Sequence, residues 1–381
     1  MLRTFRPAHL ALFGLCLLHL VVLLAREWAP TLGIAGYVYP DGSPVGGDFI
    51  NLWTAGRLVL EGRLDVIYAP QAFMAYQIEF IGAPIGHRLW AYPPHSLFLA
   101  APFALLDYYP ALLAWSVLGL AVLAWGCRRI GLARMESAIV LLSPASTLCL
   151  YFGQSGNLTA GLLLLALSAR PGRDFGAMGA AVVLTIKPQM GFLLPFYWLA
   201  ERRWLAIAAT SVLTLVVGGA ALLAFGANAW GNYVGETLHE LSLLERFGTG
   251  PFMAMIPSVF MAMRILTGDG DMAIRLHLLF AVPVIVVALW RLWRLEDRLR
   301  RTALVLVATA LATPYMHNYD LSILTIAGLL FLRRFPPGAK GEAWVERLVI
   351  LMLALPQLVV VFNLIGIPLS PLLILPLLFL V

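Results

Sequence analysis

HLALFGLCLLHLVVLLA, residues 9–25, carries no charged side chain, yet Arg3 and Arg6 stand before it and Arg26 follows it. A helix rises about 1.5 Å per residue, so a run of this length nearly crosses a hydrocarbon core of about 30 Å. It resembles the apolar part of a signal sequence. However, no small-x-small cleavage site followed by a soluble chain comes after it, so it reads as a retained first span over 8–26. Runs of the same character recur at 135–151, 157–169, 204–225, 272–293, 301–315, 320–333, 344–363 and 369–381. The chain of 381 residues is 61% apolar and 12% charged, with a mean hydropathy of +0.87. Soluble domains carry about 25% charged residues, so a water-soluble fold is excluded. About 232 apolar side chains at about 20 per span make about 11 to 12 crossings. The expectation is one all-α polytopic membrane domain over 1–381, with about 11–13 transmembrane helices.

The net charge of +6 comes from 26 basic residues, nearly all arginine, against 20 acids. The arginines stand in short clusters between apolar runs and form no continuous stripe, which argues against nucleic acid as a partner. They report topology. With the N-terminus in the cytoplasm, the clusters at 128–134, 170–173, 202–203, 291–301 and 333–340 all become internal. The segments 27–92 and 226–271 then face outward and hold most of the acids. An arginine-rich, lysine-poor composition fits a GC-rich bacterial genome and hence a bacterial inner membrane. Cys16, Cys127 and Cys149 lie in or beside apolar runs without CxxC spacing, so neither a disulfide framework nor a metal site is expected. No internal repeat is visible, which counts against transporters built from inverted repeats.

Two stretches resist simple counting. Residues 93–126 cross an odd number of times despite Pro102 and Pro110. Residues 176–200 begin and end inside with Lys187 and Pro188 at the centre, which predicts a re-entrant or broken pair. The 27–92 segment is too long for a connector. Within it, DFINLWTAGRLVLEG (48–62) and 71–81 show helical spacing of apolar residues and read as short helices lying at the membrane surface.

The chemistry-bearing residues sit at the ends of apolar runs. Asp48 is either a helix N-cap after Gly46 and Gly47 or a general base at the membrane surface, and the two roles are compatible. In YPPHSLF (92–98), His95 stands at the mouth of the next span, either snorkelling into headgroups or meeting substrate. YFGQSGNL (151–158) places Gln154 and Asn157 between apolar helices, where a buried amide needs partners. Lys187 requires an ion-pair partner or an anion such as a lipid phosphate, and the anion is the preferred reading. ATPYMHNYDLS (312–322) gathers His317, Asn318, Tyr319 and Asp320, with Asp320 a possible cap. His317 beside Tyr319 is suited to donating hydrogen bonds to a phosphate leaving group. Arg264, in IPSVFMAMRILTG (256–268), meets either lipid headgroups or substrate.

In combination, GGDFINLWTAGR (46–57), YPPHSLFLAAPFALL (92–106), GQSGN (153–157), IKPQMGFLLPFYWLAERRW (186–204), the 256–268 segment and TPYMHNYDL (313–321) resemble the polyprenol-phosphate-mannose-dependent mannosyltransferases of glycosyltransferase family 87, within the GT-C membrane class. The motifs span about 270 residues in the family's order. The resemblance implies a GT-C-type bundle whose catalytic face is external. It implies transfer of a hexose, mannose by the family's pattern, from a polyprenyl-phosphate sugar to a hydroxyl of a glycan or glycolipid acceptor. Asp48 matches the family's base and His317 its donor-phosphate histidine, with Lys187 at the Lys-Pro position. Tyr319, Asn318, Arg264, His95, Gln154 and Asn157 complete the candidate substrate-binding set, and neither a metal nor a cofactor is invoked. Two rivals remain open from the residues alone: a transporter or flippase for a lipid-linked sugar, with Lys187 and His317 along its path, and a membrane ligase or acyltransferase, for which Asp48 would have no special place.

Overall fold

A computed structural model describes residues 7–86, 88–170, 172–335 and 338–380. Among them the chain forms helices and no strands; two isolated bridges, Ala35 to Val38 and Val38 to Pro44, pin one loop. Among the described residues, five helices are long and apolar enough to cross a membrane: Pro7–Leu32, Tyr108–Arg129, Trp204–Phe247, Gly270–Arg294 and Glu342–Leu364. The chain is therefore an all-α polytopic membrane protein. Only 11% of the most apolar window of Trp204–Phe247 is covered by protein, as expected of a helix that faces lipid along most of its length. At Gly226 its backbone leaves helical angles, with φ 82° and ψ 163°, where the apolar run ends.

The centre is built from shorter rods. Every residue of Gly156–Leu167 and of Ser322–Leu332 is buried. A helix hydrophobic on all sides belongs inside the protein. At 12 and 11 residues they are about 17 Å long, so each ends at a polar turn within the protein. A close crossing brings Gly126 of Tyr108–Arg129 against Gly161. A Cβ on Gly161 would stand 2.5 Å from the Leu123 nitrogen, so only glycine allows this approach, the small-residue packing that membrane helices favour.

Helix ends on the arginine-rich side are joined by ion pairs. Arg333 grips Glu136 through Nε at 2.7 Å and a second contact through Nη2. Arg129 meets Asp174 at 2.5 Å, and Glu201 draws in Arg203, Arg298 and Arg301. The arginines that report topology thus also fasten helix termini.

Several expectations change in detail. The 135–151 run is two helices, Arg134–Leu141 and Pro144–Tyr151. Between them the Ser143 hydroxyl accepts from the Ser146 amide, and Pro144 cannot continue the preceding helix. The 93–126 stretch makes its passage in one helix, Tyr108–Arg129, after a descent through short turns. Residues 176–200 form Phe175–Leu184, Pro188–Gly191 and Leu194–Ala200, with Lys187 at the break. The Phe49–Leu60 helix, expected at the membrane surface, is packed against the rest of the protein on most of its sides. Eight of its residues are buried, including Phe49, Ile50, Leu52 and Trp53. Its neighbour Pro70–Ile81 covers it, and Gln77 Nε2 donates to Asn51 Oδ1 at 2.9 Å.

Candidate functional site

Asp48 precedes the buried Phe49–Leu60 helix and takes the N-cap position, yet its side chain accepts nothing from the helix amides. The capping reading therefore fails for the carboxylate. Its main chain is engaged elsewhere: the Asp48 amide donates to the Phe152 carbonyl at 2.9 Å. This bond docks the Gly46–Gly47 turn against the turn at 152–155. Gly153, at φ 58°, makes the docking possible. A Cβ there would stand 2.2 Å from the Gly46 carbonyl oxygen and 2.5 Å from Phe49 Cβ. Gly153→Ala is expected to cost about 2–5 kcal/mol through left-handed strain and overpacking. Thermal unfolding in detergent checks this, and a midpoint unchanged from wild type would contradict the docking.

The docking aims the Asp48 carboxylate away from its own helix. Oδ1 accepts from Arg88 Nη1 and Oδ2 from Gln154 Nε2. Asp48 keeps 40% of its side chain open, while Arg88 is at 18%. An oriented, half-open carboxylate has the geometry a general base needs.

Beside it lies a second polar group. Lys187 Nζ donates to both Asp320 oxygens, at 2.7 and 2.8 Å, and the Asp320 side chain is wholly buried. The His317 amide donates to Asp320 Oδ2 at 3.3 Å. Asp320 does not cap the following helix through its side chain; it anchors Lys187 and the 317–320 turn together. Gly156 faces this turn, and a Cβ there would be 2.7 Å from the Tyr319 carbonyl oxygen. The His317 ring stacks on Tyr319 with centroids 5.0 Å apart and planes 3° apart. Tyr92 lies within electrostatic reach of both groups. Its hydroxyl meets Ser155 Oγ at 2.7 Å; burial first, then the charges of Asp320 and Asp48, hold its phenol above the usual range against the opposing pull of the Lys187 ammonium and the Ser155 hydrogen bond.

Lys187 thus has the ion-pair partner that the sequence left open, and the preferred reading of an anion as its primary partner does not describe this arrangement. Nor is His317 a cation near neutral pH: burial pushes its imidazole down to about 4. An unfolded histidine titrates near about 6.5. Between about pH 4 and 6.5 the folded chain therefore binds fewer protons than the unfolded one. Stability from this group is complete above that window and falls as pH drops through it. His317→Gln is expected to flatten this slope in unfolding midpoints measured from pH 4 to 7; an unaltered slope would show that His317 is not the group responsible.

The remaining candidates belong to the framework. His95 Nε2 lies 3.0 Å from Thr185 Oγ1, with its ring over Trp230. Arg264 donates to the Gly248 carbonyl. Asn157 Nδ2 donates to the Ser146 carbonyl at 3.1 Å, and Asn318 Nδ2 to the Pro356 carbonyl at 2.8 Å. So Asp48, Gln154, Lys187, His317 and Tyr319 converge, whereas His95, Arg264, Asn157 and Asn318 join helices. Arg88 was not singled out from the sequence, because a lone arginine near the end of the 27–92 segment carries no local pattern. The unexplained need of Asp48 for a partner was the available signal.

Comparison with known proteins gives a match to the family model of glycosyltransferase family 87 over residues 90–314, more than half of the chain. That range includes Tyr92, Gln154, Ser155 and Lys187; Asp48, Arg88 and the 317–320 turn lie outside it. No curated protein and no solved structure matches.

Proposed function

This chain belongs to glycosyltransferase family 87, and from that premise we propose that it moves a hexose, mannose by resemblance, from a polyprenyl-phosphate sugar to a hydroxyl of a glycan or glycolipid. The reaction takes place on the outer face of a bacterial inner membrane, with the N-terminus in the cytoplasm. The observation that carries this reading is the half-open Asp48 carboxylate, oriented by Arg88 and Gln154 beside the Lys187–Asp320 pair.

The proposed step is a single inverting displacement. The acceptor oxygen attacks the anomeric carbon while Asp48 takes its proton. The bond from that carbon to the phosphate oxygen breaks, and its electron pair leaves with the polyprenyl phosphate. His317, neutral and stacked on Tyr319, is a hydrogen-bond donor to the departing oxygen rather than a charge. Asp320 holds Lys187 and the 317–320 turn in place through the buried pair, so Lys187 contributes a fixed dipole more than a free cation.

The test is transfer by purified protein in nanodiscs, supplied with labelled polyprenyl-phosphate mannose and native lipid extract. A labelled glycolipid or glycan is the expected product. Transfer from a nucleotide sugar but not from the lipid-linked one would refute the donor assignment.

A further inference from the structure

The transfer proposed above, on which this inference rests, builds negative charge on a lipid phosphate, and the basic residues considered from the sequence and structure differ in their freedom to meet it. Lys187 gives its ammonium to both oxygens of Asp320. Arg264 points at the Gly248 carbonyl, and His317 is uncharged. Arg88 is different. One terminal nitrogen holds Asp48, and its Nε–H is buried without a hydrogen-bond partner among the described residues. A buried unpaired donor costs about 1–3 kcal/mol, more when charged. Such a cost is accounted for when a ligand meets that donor. The planar guanidinium presents donors on separate edges, so one edge can hold a carboxylate while another holds a phosphate.

We propose that Arg88 binds the donor's phosphate through its Nε edge while its Nη1 keeps Asp48, so that one guanidinium spans the general base and the leaving group. The dimensions suit the displacement. Two donor nitrogens of a guanidinium lie about 2.3 Å apart, and each charge-assisted hydrogen bond adds about 2.8 Å. The oxygens held on its two edges are then separated by about 5–7 Å. An acceptor hydroxyl and an anomeric carbon fit in that interval. Arg88 thereby sets where the phosphate sits relative to the base, and an ammonium cannot replace it, having one charge centre and no second edge.

The experiment uses full-length protein in nanodiscs and compares wild type, Arg88→Lys and Arg88→Met. Binding of polyprenyl monophosphate and of uncharged polyprenol is measured beside transfer kinetics and thermal unfolding. Arg88→Met is expected to weaken polyprenyl monophosphate by about tenfold or more, with polyprenol affinity unchanged. Arg88→Lys is expected to recover much of the phosphate affinity but little of kcat. Equal binding of polyprenyl monophosphate by wild type and Arg88→Met overturns the assignment and leaves the transfer reading intact. A parallel loss of polyprenol affinity overturns it in favour of a structural role. Should Arg88→Met not fold, Arg88→Lys decides alone: wild-type kcat in that variant excludes the two-edged bridge. Failure of wild type to bind polyprenyl monophosphate removes the donor reading and the Arg88 proposal together.

Discussion

Asp48→Asn is expected to lower sugar transfer by about 10²–10⁴-fold, the usual contribution of a positioned base, while leaving the unfolding midpoint close to wild type. Both halves follow from the geometry. The amide keeps the size of the carboxylate, and its oxygen can still accept from Arg88. Its nitrogen can donate to Gln154 once that side-chain amide turns over. The Asp48 amide bond to Phe152 is main-chain and survives the change. Lost is the capacity to take a proton. Because 40% of the side chain is open, the substitution strands no deeply buried partner. Asp48→Glu separates chemistry from placement: it retains a carboxylate but moves it by roughly one methylene, and small misplacements of reacting groups are costly. An intermediate loss is expected. Full transfer by folded Asp48→Asn would remove the base assignment.

The largest stability effect is expected at the Lys187–Asp320 pair. Removing one member of a buried ion pair costs about 3–5 kcal/mol, because the other charge is left uncompensated. Asp320 has no exposed side-chain surface and accepts from Lys187 through both oxygens. Lys187→Met should therefore abolish the native fold or lower the unfolding midpoint sharply. The double variant Lys187→Met with Asp320→Leu should be more stable than Lys187→Met alone. A double-mutant cycle of unfolding midpoints reads the coupling directly. Additive losses would show that the two side chains do not depend on each other. Strong coupling with transfer still lost in the double variant would show that the pair also arranges the 317–320 turn, through the His317 amide that Asp320 accepts from.

Much of this molecule was legible before any coordinates. Apolar runs separated by arginine clusters imply a multi-span helical protein, because an uncompensated backbone or charge in lipid is too costly for any other arrangement. The break at Lys187 and Pro188 follows from the same reasoning, since proline interrupts a helix and lysine demands a partner. The Phe49–Leu60 helix was recognisable from its spacing. Its burial was not, because the same apolar residues face lipid in one environment and protein in the other, and amphipathic spacing does not distinguish them.

What the sequence by itself determined is the class of fold and the short list of polar residues at helix ends, since hydropathy and charge act locally and leave a local record. What only the tertiary structure decided is which of those residues meet. Asp320 lies 133 positions from Lys187 and Gln154 lies 106 from Asp48, so neither pairing leaves a local pattern. Arg88 reaches Asp48 across 40 positions, and His95 and Asn318 are drawn away into helix contacts. Partner choice depends on the close approach of turns that Gly153 and Gly156 permit, and such contact is a property of the packed chain rather than of any one segment.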